Sequence, residues 1–446
     1  MRSEVPKALQ PLAGWPLVAH ATAAAAKAAQ TTPLVVIGPD QNAVADALGD
    51  LAMTVVQAQP RGTGDALRSV PAELRSMGTV LVVSGDVPLL RAATLEALLE
   101  RHQQQGSACT LLSVVPDDPA GLGRIVRDET GAVRAVVEER DLPASEPVPA
   151  ECNAGVYVFA GERLWPALEQ LRDDNAQGEL YLTDAVALLA PAAALRLRDP
   201  EEALGVNDRR QLAAAEATLR RRVLEDLMLS GVTVMDPATT YVDVGVSIGA
   251  DSVLHPMTVL RGVTRLGRGC EVGPMAQLRN VSAGDAVRIG SSTLEESRLG
   301  DRVVIGQYCR LRPGTVLGED VYVGTHVELK NSSVGAGSYL SHFCAVLDSN
   351  VGSQVNVGAG TITCNFDGAA KHTTFIGDGV FVGSDSILVA PLVIGAGAYV
   401  AAGSVVTHDV PRGALAVARA DQTTVEGWVE RRRARLATAG AAVEST

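Results

Sequence analysis

From about residue 240 onward, an aliphatic residue followed by glycine returns on a beat of six. The pairs begin at Ile248, Leu266, Val272, Leu299, Ile305, Leu317, Val323, Val351, Val357, Ile376, Val382 and Ile394, and most intervals between them are 6, 12 or 18 residues. A hexad period with three hexads per coil describes a triangular solenoid of short parallel strands, in which each repeat stacks on its neighbours. The aliphatic residue points inward onto its counterpart one coil away, and glycine or another small residue is expected to accommodate the corner. Parallel crossovers are normally right-handed; the hexad class of parallel β-helix winds left-handed and is an exception. Composition agrees, since aromatics are only 3% and glycines number 44, which suits tight repeated turns better than a bulky core. One interval breaks the beat, because Val357 to Ile376 is 19 residues rather than 18. It contains "GAGTITCNFDG", residues 358–368, and reads as an excursion from the coil wall. Excursions from a rigid scaffold are where function usually sits.

At 446 residues the chain is long enough for two or more domains, and its halves read differently. Residues 33 to about 160 alternate short β-branched runs ("PLVVIG", "MTVVQA", "TVLVVSGD", "CTLLSVV") with helical patterns such as "TLEALLERHQQQG". That alternation predicts a βαβ layout around a largely parallel sheet, a Rossmann-like domain. "NAGVYVF" and "YLTDAVALLA" continue it. From Asn207 to about Ser230, Leu212, Leu219, Val223 and Leu227 recur at helical spacing among many charges. This predicts an exposed helix connecting the domains, with Arg220, Arg221 and Arg222 on a solvated face. The expected boundaries are 1–207 for the first domain, 208–232 for the connecting helix, and 233–446 for the β-helix with its tail.

A formal charge of −13 and a pI near 5.1 argue against a broad nucleic-acid surface, so any phosphate must be held locally. No apolar run reaches the roughly 18 residues of a membrane span, and the opening "MRSEVPKALQPLAG" lacks the apolar core of a signal peptide. Cys109, Cys152, Cys270, Cys309, Cys344 and Cys364 are scattered without a C-x-x-C pair. That usage fits reduced thiols in a cytoplasmic protein better than disulfides or zinc. Neither a nucleic acid nor a membrane is expected as a partner.

Four segments of the second half carry polar groups that the hexad does not demand: "RLRPGT", "HVELKN", "SHF" and "NVGAGTITCNFDGAAK". Taken alone, His342 reads either as a surface corner histidine or as a general base near neutral pH. Arg312 and Lys330 are either solvated corners or cations placed for a sugar phosphate. The combination of these segments resembles the C-terminal half of the bacterial bifunctional N-acetylglucosamine-1-phosphate uridylyltransferase/glucosamine-1-phosphate N-acetyltransferase family. "VFVGSDSILVAP" and "AAGSVVTHDVP" match as well. The resemblance implies that His342 deprotonates the amino group of glucosamine 1-phosphate for attack on acetyl-CoA. It further implies that Arg312, Lys330, Asn356 and Lys371 hold the sugar phosphate, and that Ala359, Asn365, Phe366, Ser384, Ala402 and Arg419 border acetyl-CoA. A homotrimer follows from the same likeness, since the family builds this site between subunits. One departure is that Ala345 stands where the family usually has tyrosine, three residues after the histidine.

In the first half, "VSGDVPLL" ends a buried strand in Gly85-Asp86, a place where α/β sheets put ligands, though Gly-Asp there can also be a plain turn. "PKALQPLAG", "QAQPRGTGDA", "GLGRIV", "VVEERD", "ECNAG", "GELYLTD" and "GVND" follow in the order of the family's nucleotidyltransferase domain. The resemblance implies Asp86 and Asn207 as Mg²⁺ ligands and Lys7 at phosphate. Gln57, Gly62 and Thr63 fall at uracil, and Gly123, Glu138 and Asn153 at the amino sugar, with UTP and N-acetylglucosamine 1-phosphate as substrates. The family's domain opens with a strand and a glycine-rich L-x-A-G-x-G-T-x-M loop, and this chain starts at about that motif's final methionine. Two readings follow: a bifunctional enzyme, or an acetyltransferase only, its uridylyltransferase domain disabled by the missing N-terminal loop.

Overall fold

The computed structural model describes residues 1–142 and 149–443. It divides into two compact units: residues 1–230 with 241–246 and 260–262, and the remainder from Gly231 onward. In the first unit, Leu34–Ile37 and Met53–Val56 pair parallel as a small sheet of their own. The larger sheet is mixed rather than largely parallel. Cys152–Ala160 runs antiparallel to both Thr79–Val83 and Cys109–Val114, while Ala193–Arg196 lies parallel to Cys109–Val114. Arg124–Arg127 and Val133–Val137 add an antiparallel hairpin. The apolar run "NAGVYVF" is buried on both faces, so its composition is the same whichever way the strand runs. Alternate side chains feed two cores: Leu111, Tyr157 and Phe159 on one face join Leu164, Trp165 and Leu168, and Leu112, Val156 and Val158 on the other join Leu95 and Leu98. Helices thus cover both faces of the sheet.

The Arg209–Leu229 helix starts at a capping box in which Asp208 accepts from the Arg210 and Gln211 amides, both at 2.8 Å. It is less exposed than its charges suggested. Ala215, Thr218 and Leu224 are buried, and Ala215 packs with Leu12, Leu17, Leu89 and Val206 of the first unit. Small contact residues hide this face from a hydrophobic count. Arg222 is not on the solvated face either: its guanidinium donates to the Leu89 carbonyl at 2.7 Å and to Asp199 at 2.9 Å.

The second unit is a three-walled parallel β-helix of two- and three-residue strands. Along one wall, Leu254, Val272, Ile289, Ile305, Val323, Leu340, Val357, Val382 and Val400 pair in register, one per coil. None is more than 2% exposed, and each such side chain contributes about 1.5–3 kcal/mol of burial. The hexad glycine acts differently from expectation. Left-handed φ values fall instead on residues such as Arg302, Asp320, His326 and Asn331. A Cβ on Gly318 would stand 2.8 Å from the Ala336 amide nitrogen, so this glycine permits close approach of the next coil. Buried Cys309 and Cys344 donate to the carbonyls of Gly324 and Gly358 at 2.9 and 3.2 Å, as Ser338 does to Gly352 at 2.8 Å. All six cysteines are free. Among the described residues no helix is long and apolar enough to cross a membrane.

The broken beat is larger than the one extra residue counted from the intervals. Ser333 pairs with Asn350 seventeen residues on, whereas Ser349 pairs with Thr374 twenty-five residues on. Eight residues are therefore inserted between the strands Ile362–Cys364 and Thr374–Ile376. The insertion folds on itself, with Phe366 bridged to Lys371 and the His372 amide donating to the Asn365 carbonyl at 2.7 Å. Asp367 holds its tip through the Ala370 and Ala369 amides and the His372 ring, which keep its carboxyl far below the usual range.

Candidate active sites

In the first unit, the loop after Thr79–Val83 carries Asp86, whose carbonyl accepts from the Val206 amide at 2.9 Å. That bond sets Asn207 beside Asp86. Gln211 secures Asn207 from the helix side, its Oε1 accepting from the Asn207 amide at 2.7 Å. Lys7 Nζ lies between the two side chains, 2.7 Å from Asp86 Oδ2 and 2.6 Å from Asn207 Oδ1. Two oxygens thus converge on one cation at the carboxyl end of a sheet strand.

Gln57, Gly62 and Thr63 form a second group. Gln57 Nε2 donates to the Gly62 carbonyl at 3.3 Å and to Asp65 at 2.8 Å, and Thr63 Oγ1 accepts from the Leu182 amide at 3.1 Å. Gly62 has φ +110°, and a Cβ there would stand 2.6 Å from the Leu180 carbonyl oxygen, so only glycine fits. A third group joins Gly123 and Asn153 by a backbone bond of 2.9 Å. Glu138 accepts from Thr183 at 2.9 Å, and its carboxylate would be 3.5 Å from a Cβ at Gly123. Burial pushes the Glu138 carboxyl up, more than the Thr183 bond draws it down. The Leu180–Thr183 segment therefore stitches the second group to the third; Lys7, Asp86 and Asn207 share no hydrogen bond with either among the described residues.

In the β-helix, His342, Ala359, Ser384 and Ala402 occupy one corner in four successive coils. Backbone bonds run down the column, from Gly360 N to the His342 carbonyl, Asp385 N to Ala359, and Gly403 N to Ser384, at 3.0, 2.7 and 2.8 Å. His342 Nδ1 accepts from the Thr325 amide at 3.1 Å, and a Cβ on Gly324 would come within 2.8 Å of it. Arg312, Lys330 and Lys371 gather at the opposite corner of the next wall. Arg312 pairs with Glu328 at 3.1 Å. Lys330 lies close enough to Lys371 to lower its pKa, an effect to which Arg312 adds and Asp348 is opposed. Between the two corners runs the strand Ala345–Leu347, about 10 Å of chain at 3.3 Å per residue. Asn356 sits on the outer face of the preceding wall, between Tyr339 and Phe381 in register. Asn365 and Phe366 begin the insertion. Arg419 is exposed beyond the last wall strand, and among the described residues no hydrogen bond or ion pair ties it to the others.

Two carboxylates at these sites went unnoticed in the sequence. Asp65, buried, grips both Gln57 and Arg61, each at 2.8 Å. Asp348 accepts from Asn331 at 2.8 Å and from Asn365 by a short bond, with Lys330 Nζ at 3.6 Å. A signal was available, since Asn331, Asp348 and Asn365 follow one another at seventeen residues, one coil apart.

An α/β unit with a carboxylate, an amide oxygen and a lysine gathered at a strand end, followed by a parallel β-helix with a histidine and a cation cluster at two corners of one wall, fits a two-domain transferase. Residues 1–188 match the model of the MobA-like NTP transferase domain, and residues 373–408 match that of the bacterial transferase hexapeptide, six repeats of it, the sequence signature of a left-handed β-helix. The chain is 44% identical to the bifunctional protein GlmU of Heliobacterium modesticaldum, over 97% of this chain and 95% of that one. It is 44% identical to GlmU of Streptomyces avermitilis (99% and 94%) and 42% identical to GlmU of Thermotoga maritima (97% and 96%). The chain belongs to the GlmU family, and is a bifunctional acetyltransferase and uridylyltransferase of UDP-N-acetylglucosamine synthesis. Because the likeness spans both domains, the reading in which only acetyl transfer is kept is not favoured.

Proposed function

We propose that the β-helix acetylates glucosamine 1-phosphate from acetyl-CoA and that the first domain then transfers a uridylyl group from UTP to the N-acetylglucosamine 1-phosphate so formed, releasing pyrophosphate. We assign residues 1–207 to uridylyl transfer, 208–232 to the connecting helix and 233–446 to acetyl transfer. The observation that carries the reading is the wall Ala345–Leu347, with a histidine at one corner and a cluster of three cations at the other. A hexose 1-phosphate lying across it, its phosphate on Arg312, Lys330 and Lys371, turns its amine toward His342. The amine attacks the thioester carbonyl, His342 takes the amine's proton, and the CoA thiolate leaves. With Nδ1 accepting from the Thr325 amide, Nδ1 is the unprotonated nitrogen of the neutral ring and takes the proton when the amine displaces that bond. Asn356 borders the sugar, while Ala359, Asn365, Phe366, Ser384, Ala402 and Arg419 line the path of acetyl-CoA. Ala345, the first residue of this strand, offers the sugar only a methyl group.

In the first domain, Lys7 reaches phosphate, Gln57, Gly62 and Thr63 read uracil, and Gly123, Glu138 and Asn153 hold the amino sugar. Asp86 and Asn207 fit Mg²⁺, because their oxygens already converge on a cation and Mg²⁺ takes few protein ligands besides phosphates. Bound there, it supplies charge neutralisation for the meeting of two phosphates. With acetyl-CoA and UTP as co-substrates, the enzyme works in the cytoplasm. The test follows thiol release with acetyl-CoA and glucosamine 1-phosphate, and pyrophosphate release with UTP and N-acetylglucosamine 1-phosphate, the second with and without chelator. Both releases are expected, only the second abolished by chelation; absence of thiol release would sink the acetyl reading.

We further propose a homotrimer in which a neighbouring copy walls the acetyl site. What supports it is a row of outward rings on one wall, Tyr322, Tyr339, Phe381 and Tyr399, with Asn356 in its midst. Exposed apolar stripes of this kind mark contact surfaces. Dilution or an interface substitution that yields folded monomers is expected to cost acetyl transfer before uridylyl transfer. Monomers that keep full acetyl transfer, seen by sedimentation and assay on one sample, would exclude the shared site.

A further inference from the structure

The Asp348 carboxylate stands at a junction that the proposed roles leave unused. Its residue is 9% exposed, yet one oxygen accepts from Asn331 Nδ2 at 2.8 Å and the other from Asn365 Nδ2, with Lys330 Nζ 3.6 Å away. These contacts link three coils, because Asn331, Asp348 and Asn365 occupy the same corner one turn apart. Asn365 is where the eight-residue insertion leaves the wall. On the next inward position, Thr363 replaces the usual aliphatic residue, and its hydroxyl accepts from the Leu347 amide at 2.7 Å. The ladder is thus altered at the place where the insertion departs. Asp348 also faces Lys330 and Lys371, two like charges that disfavour each other. Arg312 is the remaining cation there, and Glu328 is already engaged by it at 3.1 Å.

Resting on the acetyl-transfer reading above, we propose that Asp348 is a positioning residue for the sugar-phosphate step. It ties the root of the insertion to the wall through Asn365 and holds Lys330 and Lys371 toward the phosphate. Burial pushes its carboxyl up, but the bonds from Asn331, Asn365 and Lys330 outweigh that and hold it below the usual carboxylate range. It therefore stays ionised at neutral pH. Lys371 is lowered from its ordinary value by Lys330, and Asp348 limits the fall. A carboxylate favours the neighbouring ammonium form, so its removal lets Lys371 lose its proton at a lower pH. A phosphate clamp that must be cationic then weakens sooner on the alkaline side.

The test is Asp348→Asn, which keeps the shape, removes the charge, and suits the φ of +47° that Asn tolerates. KM for glucosamine 1-phosphate is expected to rise about tenfold to a hundredfold, the range of a hydrogen bond to a charged group. The alkaline limb of the kcat/KM profile should move to lower pH. Asn331→Gly, which loosens the same corner without touching charge, should leave that limb in place. Asp348→Gly, also suited to positive φ, serves as the second variant if the asparagine fails to fold. An unchanged KM and limb in a folded Asp348 variant, or an equal shift of the limb in Asn331→Gly, would overturn the proposal. Lack of thiol release by the unaltered protein is a different result, since it removes the acetyl reading itself and the proposal with it.

Discussion

A His342→Ala protein is expected to lose acetyl transfer by about 10²–10⁴-fold, the contribution of a positioned general base, while pyrophosphate release from UTP stays unchanged. The amine of an amino sugar is mostly protonated near neutral pH, and the tetrahedral adduct it forms must shed a proton to go forward. His342 is the histidine at the corner that faces the cation cluster across the Ala345–Leu347 wall. His326 and His372 are otherwise engaged, the first packed between the rings of Tyr308 and Phe343 and the second bound to Asp367. Stability should hardly move. The side chain is exposed and touches the fold through the Thr325 amide, which water can satisfy, so a change within about 0.5 kcal/mol is expected. Thiol release, pyrophosphate release and a thermal melt on one preparation check all three statements. An acetylation rate within threefold of the parent would remove His342 as the base.

Asp86→Ala is expected to show the converse, a loss of about 10³-fold in pyrophosphate release with thiol release intact. Neutralising phosphate charge contributes several kcal/mol to a transition state, and each 1.36 kcal/mol is about tenfold in rate. Among the described residues, the variant removes the one carboxylate bonded to Lys7 and leaves Asn207 as its side-chain partner. The loop itself should survive, because the bond that sets it runs from the Val206 amide to the Asp86 carbonyl, which alanine keeps. A titration with Mg²⁺ distinguishes causes: partial recovery at high Mg²⁺ is expected if affinity is what was lost. Full activity without added Mg²⁺ would end the assignment of Asp86 as a metal ligand.

Much of the second unit was legible because its rule is local. An aliphatic residue every six positions has one way to bury itself in a three-walled coil, and the inward columns follow from that alone. The same arithmetic reaches part of the site, since Asn331, Asp348 and Asn365 recur at the coil length, as do His342 and Ala359. The size of the insertion was misread, because Val357 and Ile376 lie on different walls and the interval between them is not a whole coil. Leu340 and Val351, the matching pair one coil earlier, are eleven residues apart, so nineteen conceals an insertion of eight. The first unit yielded less. A strand buried on both faces carries no record of its direction, and the antiparallel Cys152–Ala160 was therefore missed. Periodicity and composition determined two domains, a hexad solenoid and the residue types available for chemistry, because burial and backbone reach act along the chain. Only the tertiary structure decided that Lys7 meets Asn207 two hundred residues away, that Leu180–Thr183 joins two loops of the first site, and that one carboxylate at Asp348 serves three coils. Those are long-range pairings of polar groups, fixed by where packed elements happen to end and not by any period in the sequence.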